Sequence, residues 1–277
     1  MAIEVERQST MSRDELGDRM KQFEAVGTSA RAERGLPIVI RLDGRSFSSF
    51  TSGLPRPYDA RLSRLMFEVM RECARETNAL IGYTQSDEIS LVLHAEDPTS
   101  QLYFDGRFQK IVSVLAGVAS VEFNSLLPEA IPERSSRRAL FDCRAWTVPS
   151  LEEAANAILW RELDAIKNSV SMLAGAHFSP KQLHGRGQSD RLSMLSNEGV
   201  EWDSYPTFFK RGWYVRRVIK RSKFTVDELE SLPPKHAARM NPDLEIERSV
   251  FQRWSPPPLV TIKNRVEALF KGAEVVT

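Results

Sequence analysis

Two acidic turns carry most of the chemistry that this sequence offers. Asp43 ends the apolar run Ile38-Val39-Ile40-Arg41-Leu42 and is followed by Gly44 and Arg45. Asp87 sits in the polar turn Gln85-Ser86-Asp87-Glu88, between Ile81-Gly82-Tyr83 and Ile89-Ser90-Leu91. A buried run ending in a carboxylate is either a capped strand end or one half of a metal site. Two such ends, each beside Gly, Ser or Glu, fit a carboxylate pair holding Mg²⁺, which takes one or two carboxylates and fills the rest with phosphate oxygens and water. A pair of that kind activates a 3′-hydroxyl and neutralises a leaving pyrophosphate. Gly44 lacks Cβ, so its carbonyl can approach a metal closely. The peptide N–H groups of residues 44–48 (Gly44, Arg45, Ser46, Phe47 and Ser48) can cradle phosphates as a nest. Glu88 points to the opposite strand face from Asp87 and reads equally as a ligand or as a solvated or ion-paired residue. Arg41 alternates with buried neighbours, which suits a structural partner of a carboxylate.

The elements that must position these turns follow from periodicity. A capping-box pattern at Ser12-Arg13-Asp14-Glu15 predicts a helix running to the punctuation at Gly35-Leu36-Pro37. A first strand is expected over about 37–42. Leu62, Leu65, Met66, Val69, Met70 and Cys73 recur at helical spacing. Residues 80–93 read as a hairpin of two strands. Val112, Leu115, Ala116, Ala119 and Phe123 predict a second packed helix, and residues 139–148 a fourth strand. Strand, helix, strand, strand, helix, strand is the split βαβ, or ferredoxin-like, order. Its right-handed crossovers set strand three antiparallel beside strand one, which brings Asp43 next to the turn carrying Asp87. Polymerase and cyclase palms arrange their carboxylates this way, so the expected class is α+β, a palm-like sheet with additional helices and a C-terminal extension. After Pro149 a long helix is expected to Gly175, then a polar loop at 182–188, a basic segment and an irregular tail with Pro233-Pro234 and Pro256-Pro257-Pro258.

The chain has 277 residues, 42% of them hydrophobic, and a formal net charge of +1. That is enough for a full core and is electrically balanced overall. Basic residues nevertheless cluster. Lys210, Arg211, Arg216, Arg217, Lys220, Arg221 and Lys223 follow one another with no acid between them, with Trp213 and Tyr214 interleaved, and Arg134, Arg137 and Arg138 form a second group. Each is a solvated face or a surface for a phosphate-rich partner. Trp213 and Tyr214 read as base-stacking or core residues. The 2 cysteines and 4 histidines show no metal spacing, which suits a reduced, cytoplasmic protein. No long uninterrupted apolar run is present, so no membrane span is expected.

The residues around these turns resemble the tRNA-His guanylyltransferase family. Arg41-Leu42-Asp43-Gly44-Arg45-Ser46-Phe47 and Gln85-Ser86-Asp87-Glu88-Ile89-Ser90 look like its paired signatures. Asp18-Arg19-Met20-Lys21-Gln22-Phe23-Glu24, Phe141-Asp142-Cys143-Arg144, Trp160-Arg161 and Lys210-Arg211-Gly212 stand in the family's order. The resemblance covers about 14–220 and is closest to the bacterial, guanylyltransferase-like 3′–5′ RNA polymerases. It implies a nucleotidyltransferase that activates a tRNA 5′-monophosphate with ATP or GTP and lets a nucleotide 3′-hydroxyl attack the activated end.

On that resemblance Asp43 and Asp87, with the Gly44 carbonyl, would hold two Mg²⁺ ions and do the catalytic work. Gly44, Arg45, Ser46, Phe47, Ser48, Arg56, Ser86, Arg107 and Lys110 would bind nucleotide, while Asn168, Lys210, Arg211, Arg216 and Arg217 would contact RNA. Residues 1–150 would form the palm-like catalytic domain with its N-terminal helix. Residues 151–277 would complete the catalytic unit and contact tRNA, in a homotetramer built as a dimer of dimers. Ile166 stands where eukaryotic members carry a His, which implies 5′-end repair of several tRNAs rather than strict tRNA-His guanylylation. The competing readings are a nucleotide cyclase, which leaves the basic segment unexplained, and a non-enzymatic RNA-binding sheet, which predicts an aromatic strand motif absent at 86–91.

Overall fold

The computed structural model describes residues 13–95, 101–241 and 243–277. The chain forms a mixed α/β structure around one six-stranded antiparallel sheet of order β4-β1-β3-β2-β5-β6. Its strands are β1 (Ile38–Gly44), β2 (Ile81–Gln85), β3 (Glu88–Leu93), β4 (Phe141–Thr147), β5 (Trp213–Lys223) and β6 (Glu245–Trp254). Its helices are α1 (Arg13–Thr28), α2 (Phe47–Phe50), α3 (Ala60–Thr77), α4 (Phe108–Ala130), α5 (Leu151–His177), α6 (Pro180–Leu183), α7 (Gln188–Asn197), α8 (Thr207–Arg211), α9 (Val226–Ser231), α10 (Ala237–Met240) and α11 (Arg265–Phe270).

Both sheet faces are covered, and alternation along β1 sorts its residues between them. Ile38, Ile40 and Leu42 enter a core with Leu65, Met66, Val69 and Met70 of α3 and Ile111, Leu115 and Phe123 of α4. Val39 enters the opposite core, with Tyr83, Ile158 of α5 and Leu269 of α11. Arg41 and Asp43 share that second face. Helix α3 starts on Asp59, whose side chain accepts from the Arg61 amide, and ends on left-handed Asn78. The β2–β3 connection is the two-residue turn Ser86-Asp87, with Ser86 at φ 51°. As expected from crossover handedness, β3 lies antiparallel beside β1, with Asp43 opposite Glu88.

Three expectations need correction. Helix α1 ends at Thr28, well short of Gly35, at the weak helix formers Gly27, Thr28 and Ser29. Ala32 then joins the α4 approach through its amide bond to the Gly106 carbonyl. (Ser12 of the expected capping box lies outside the described residues.) Helix α4 is long and apolar enough to cross a membrane by length and composition, although one stripe of it, Ile111, Leu115, Ala119, Phe123 and Leu127, is buried in the core. The tail is not irregular: β6 pairs with β5 from Tyr214↔Trp254 to Lys223↔Glu245. Only the first part of β5 reaches β2, from Thr84↔Trp213 to Ile81↔Arg216. The rest is a two-stranded ribbon. Its residues are exposed or half-buried, so they lack the strong apolar period that marks a strand. The sheet therefore draws strands from both sides of residue 150.

Candidate active site

The carboxylates converge at one corner of the sheet. Asp43 is opposite Glu88 on β3 and Asp142 on β4. The Gly44 amide donates to the Asp87 carbonyl at 3.1 Å, which fastens the end of β1 to the β2–β3 turn. Burial pushes the Asp87 carboxyl above its ordinary range, and the neighbouring Asp43 charge pushes the same way, against a hydrogen bond from Ser86. Asp43 is more open, and the nearest cation is the Arg144 guanidinium at 3.7 Å. Two acids so placed repel each other unless a cation comes between them. Oxygen donors of this kind suit Mg²⁺. Among the described residues no group of three or more His, Cys, Asp or Glu side chains forms a metal cluster, so water or substrate oxygens must complete any coordination here.

The loop after Asp43 is shaped by packing. A Cβ on Gly44 would lie 2.3 Å from the Phe47 ring, so the glycine makes room for that side chain. Phe47 is buried against Phe50, Phe123 and Phe141, so its ring is a core element and only its backbone faces the site. The five-amide nest is smaller than expected. The Gly44 amide is bound to Asp87 and the Arg45 amide to the Leu140 carbonyl at 2.8 Å. The amides of Ser46, Phe47 and Ser48 have no backbone acceptor among the described residues, as befits the start of a helical turn. Arg137 and Arg134 hold the far side of this loop through the carbonyls of Ser49 and Ser52, which gives that basic group a structural task.

A cavity of about 380 Å³ opens beside the turn. Ser48, Arg56 and Ser86 line it, as three of the expected nucleotide contacts. So do Tyr58, Ser169, Phe208 and Phe209, which the sequence reading did not single out. Arg45 is exposed. Arg107 and Lys110 stand at the start of α4 beside Phe104, away from the cavity lining: the Arg107 Nε donates to the Phe104 carbonyl and the Lys110 ammonium lies 6.0 Å from its ring centre.

The expected RNA contacts fall into two groups. Asn168 donates to Asp164 at 3.1 Å, Asp164 accepts from Arg161 at 3.0 Å, and Arg161 clasps Glu88. Glu88 is thus ion-paired, and Asn168 is linked through it to the carboxylate corner. Lys210 donates to the Asp203 carbonyl and lies over the Trp202 ring. Arg211 turns inward to buried Glu162, at 3.2 Å, and to the Pro256 carbonyl. Arg216 donates to the Ala268 carbonyl and Arg217 to the Asn78 carbonyl, and burial lowers the pKa of both. Trp213 and Tyr214 are core residues, bonded to Ser63 and Glu162. Of the basic segment, Lys220, Arg221 and Lys223 remain exposed. Among the described residues Arg41 has no carboxylate partner, contrary to expectation; its guanidinium lies 6.0 Å from the Trp146 ring centre and 5.5 Å from that of Trp160. In the sequence this network shows only the i,i+3 spacing of Arg161 and Asp164, because Glu88, its other member, lies 73 residues away along the chain.

Residues 17–149 match the family model for Thg1, tRNAHis guanylyltransferase. The chain is similar to a solved bacterial tRNA(His) guanylyltransferase (Thg1)-like protein in complex with ATP, with 34% identity, 73% of this chain and 87% of that chain covered, and a TM-score of 0.68. A bacterial protein of the same description, in complex with GTP, has 28% identity, 88% and 94% coverage and a TM-score of 0.66. The tRNA(His) guanylyltransferase of Neurospora crassa is 28% identical, with 71% of this chain and 72% of that protein covered.

Proposed function

Because the chain belongs to the tRNAHis guanylyltransferase family, and is thereby a nucleotidyltransferase, we propose that it adds nucleotides to the 5′ end of tRNA in the 3′–5′ direction. The observation that carries this reading is the Gly44 amide bond to the Asp87 carbonyl, which holds two carboxylates at one sheet corner beside a cavity. The strand order β4-β1-β3-β2 supports a palm-like arrangement. Asp43 and Asp87, with the Gly44 carbonyl, would hold two Mg²⁺ ions. When bound, Mg²⁺ activates an attacking hydroxyl and neutralises a leaving pyrophosphate.

The protein's own groups bind and orient. The amides of Ser46, Phe47 and Ser48 and the Ser86 hydroxyl donate to triphosphate oxygens as a fixed donor set. Arg56 adds a cation at the cavity, and Arg45, Arg107 and Lys110 serve more distant phosphates. Tyr58 and Phe208 supply an apolar wall for a base. ATP or GTP is the activating substrate, in keeping with the nucleotides bound to the two bacterial relatives. Asn168 and the exposed cations of β5 receive the RNA, while Arg211 and Arg216 brace the strand from inside.

Residues 1–150 supply the catalytic corner and 151–277 complete it. The exposed stripe Leu16, Met20 and Phe23 on α1 supports assembly into a dimer of dimers, and the free cysteines support a cytoplasmic setting. Ile166 offers no hydrogen bond for selecting a single tRNA. The enzyme therefore completes 5′-truncated tRNAs by pairing to the opposite strand, at least as efficiently as it adds G to tRNA-His. The test is a competition between the two substrates at equal concentration. A strong preference for full-length tRNA-His that vanishes when its anticodon is changed would overturn the repair reading.

A further inference from the structure

The second face of the sheet carries an uncommitted cation between two tryptophans, next to the acidic corner. Residues directly opposite in neighbouring strands share a face. Arg41 is opposite Arg144, Asp43 opposite Asp142, and Val39 opposite Trp146. Arg41, Asp43, Asp142, Arg144 and Trp146 therefore all look out on the α5 side. Helix α5 crosses this face, packing on Val39 of β1 through Ile158 and meeting Glu88 of β3 through Arg161. It leaves open the end of β1 and β4 that carries Asp43: Asp142 and Arg144 are exposed. At the rim of the opening stands Trp160, 53% exposed.

Trp160 is held in place rather than loose. The Arg161 guanidinium lies 4.6 Å from its ring centre and the Arg41 guanidinium 5.5 Å; Arg41 is also 6.0 Å from Trp146. Arg161 is itself fixed by Glu88 and Asp164. Arg41 differs from Arg161: half-buried, it makes no ion pair or hydrogen bond among the described residues. An unpaired guanidinium under an exposed aromatic ring matches a ligand with an anionic group and a flat ring, and a nucleotide has both. Arg144, with its own carboxylate neighbours, adds a second cation. Trp and Arg are also enriched at protein interfaces, whereas Asp, which stands beside this patch at Asp142, is depleted there; a subunit contact is the alternative that the experiment below separates.

We propose that Trp160 and Arg41, flanked by Trp146 and Arg144, form a subsite for the terminal nucleotide of the polynucleotide substrate, its base on Trp160 and its phosphate on Arg41. This rests on the reading of Asp43 and Asp87 as the place of addition. Arg41 is two strand residues from Asp43, about 7 Å, so one nucleotide spans from the subsite to the carboxylates.

The experiment measures binding of a 5′-monophosphate RNA hairpin in chelator, where no addition occurs. Trp160→Ala should weaken it by roughly 5- to 150-fold, Trp160→Phe should stay within about threefold because a ring is retained, and Arg41→Gln should lower the salt slope by about one unit. ATP affinity should not change in any of the three variants. Unchanged RNA affinity in Trp160→Ala overturns the proposal. So does an equal loss in Trp160→Phe, or a loss that tracks a fall in oligomer mass, which would make the patch a subunit contact. Failure of the addition reading is seen separately, as Asp43→Asn that keeps both RNA binding and nucleotide addition.

Discussion

Glu88 and Arg161 meet at two points: Nε to one carboxylate oxygen at 2.6 Å and a terminal nitrogen to the other at 2.8 Å. Both side chains are largely buried, at 13% and 10% exposure. The pair therefore ties the residue after Asp87 to α5, and through Asp164 to Asn168. It is a fixed link between the carboxylate corner and the helix proposed to receive RNA.

Removing one member of this pair strands the other. Glu88→Ala leaves a buried guanidinium with Asp164 alone, and such losses cost about 3 kcal/mol. Urea unfolding should read that loss, and Glu88→Gln should lose less. A change below about 1 kcal/mol would show a pair well solvated in solution, like an ordinary surface bridge.

Asp43→Ala and Asp87→Ala should each lower nucleotide addition by at least about 100-fold, the usual effect of removing a group that stabilises transition-state charge. Circular dichroism should be unchanged. Near-wild-type addition by either variant in Mg²⁺ would refute the two-carboxylate site.

Asp87 also makes a pH-dependent prediction. Its carboxyl titrates above the ordinary value in the folded protein, mainly through burial. The folded state thus holds this proton more tightly than the unfolded state. Its contribution to stability falls as pH rises from the unfolded towards the folded pKa. In chelator, Asp87→Asn should match the wild type in acid and melt higher near neutrality, and Mg²⁺ should narrow the gap. A variant less stable at every pH would refute the strained carboxylate.

The basic strand separates into two tests. Arg211→Ala should destabilise the fold by about 3 kcal/mol, because Glu162 is left buried and unpaired, and should leave the salt dependence of tRNA binding unchanged. Lys220→Ala should do the reverse, reducing the salt slope by about one unit. Identical behaviour of the two variants would contradict this division.

Gly44→Ala should cost about 1–3 kcal/mol, the usual range for overpacking, because its Cβ meets the Phe47 ring. Phe47→Leu combined with it should recover part of the loss. Thermal melts of the three variants decide this.

The corner was legible because its determinants are local or topological. Buried runs such as 38–42 and 89–93 show their period sharply, and crossover handedness then sets β3 beside β1. What stayed hidden depends on distant partners. Arg211 reads as a surface cation until Glu162, on another element, is seen opposite it. Phe47 sits in a phosphate-loop pattern, yet its ring fills the space that Gly44 leaves free. The cavity is built from separate segments around Ser48, Tyr58, Ser169 and Phe208, and no single stretch announces it. Strand β6 escaped because neither of its faces is deeply buried.

The β5–β6 ribbon leads to one further consequence. Beyond Arg217, whose amide still reaches the Leu80 carbonyl, its ladder has no third strand among the described residues. Two strands alone are marginal in water, whereas β1 is hydrogen-bonded on both sides within two cores. Amide protons of 218–223 should therefore exchange with deuterium by local opening, at rates set by the ribbon. Those of Ile40 and Leu42 should wait for much larger openings. The arm carrying the exposed cations can thus unzip and re-form many times while Asp43 and Asp87 stay where the inner strands hold them.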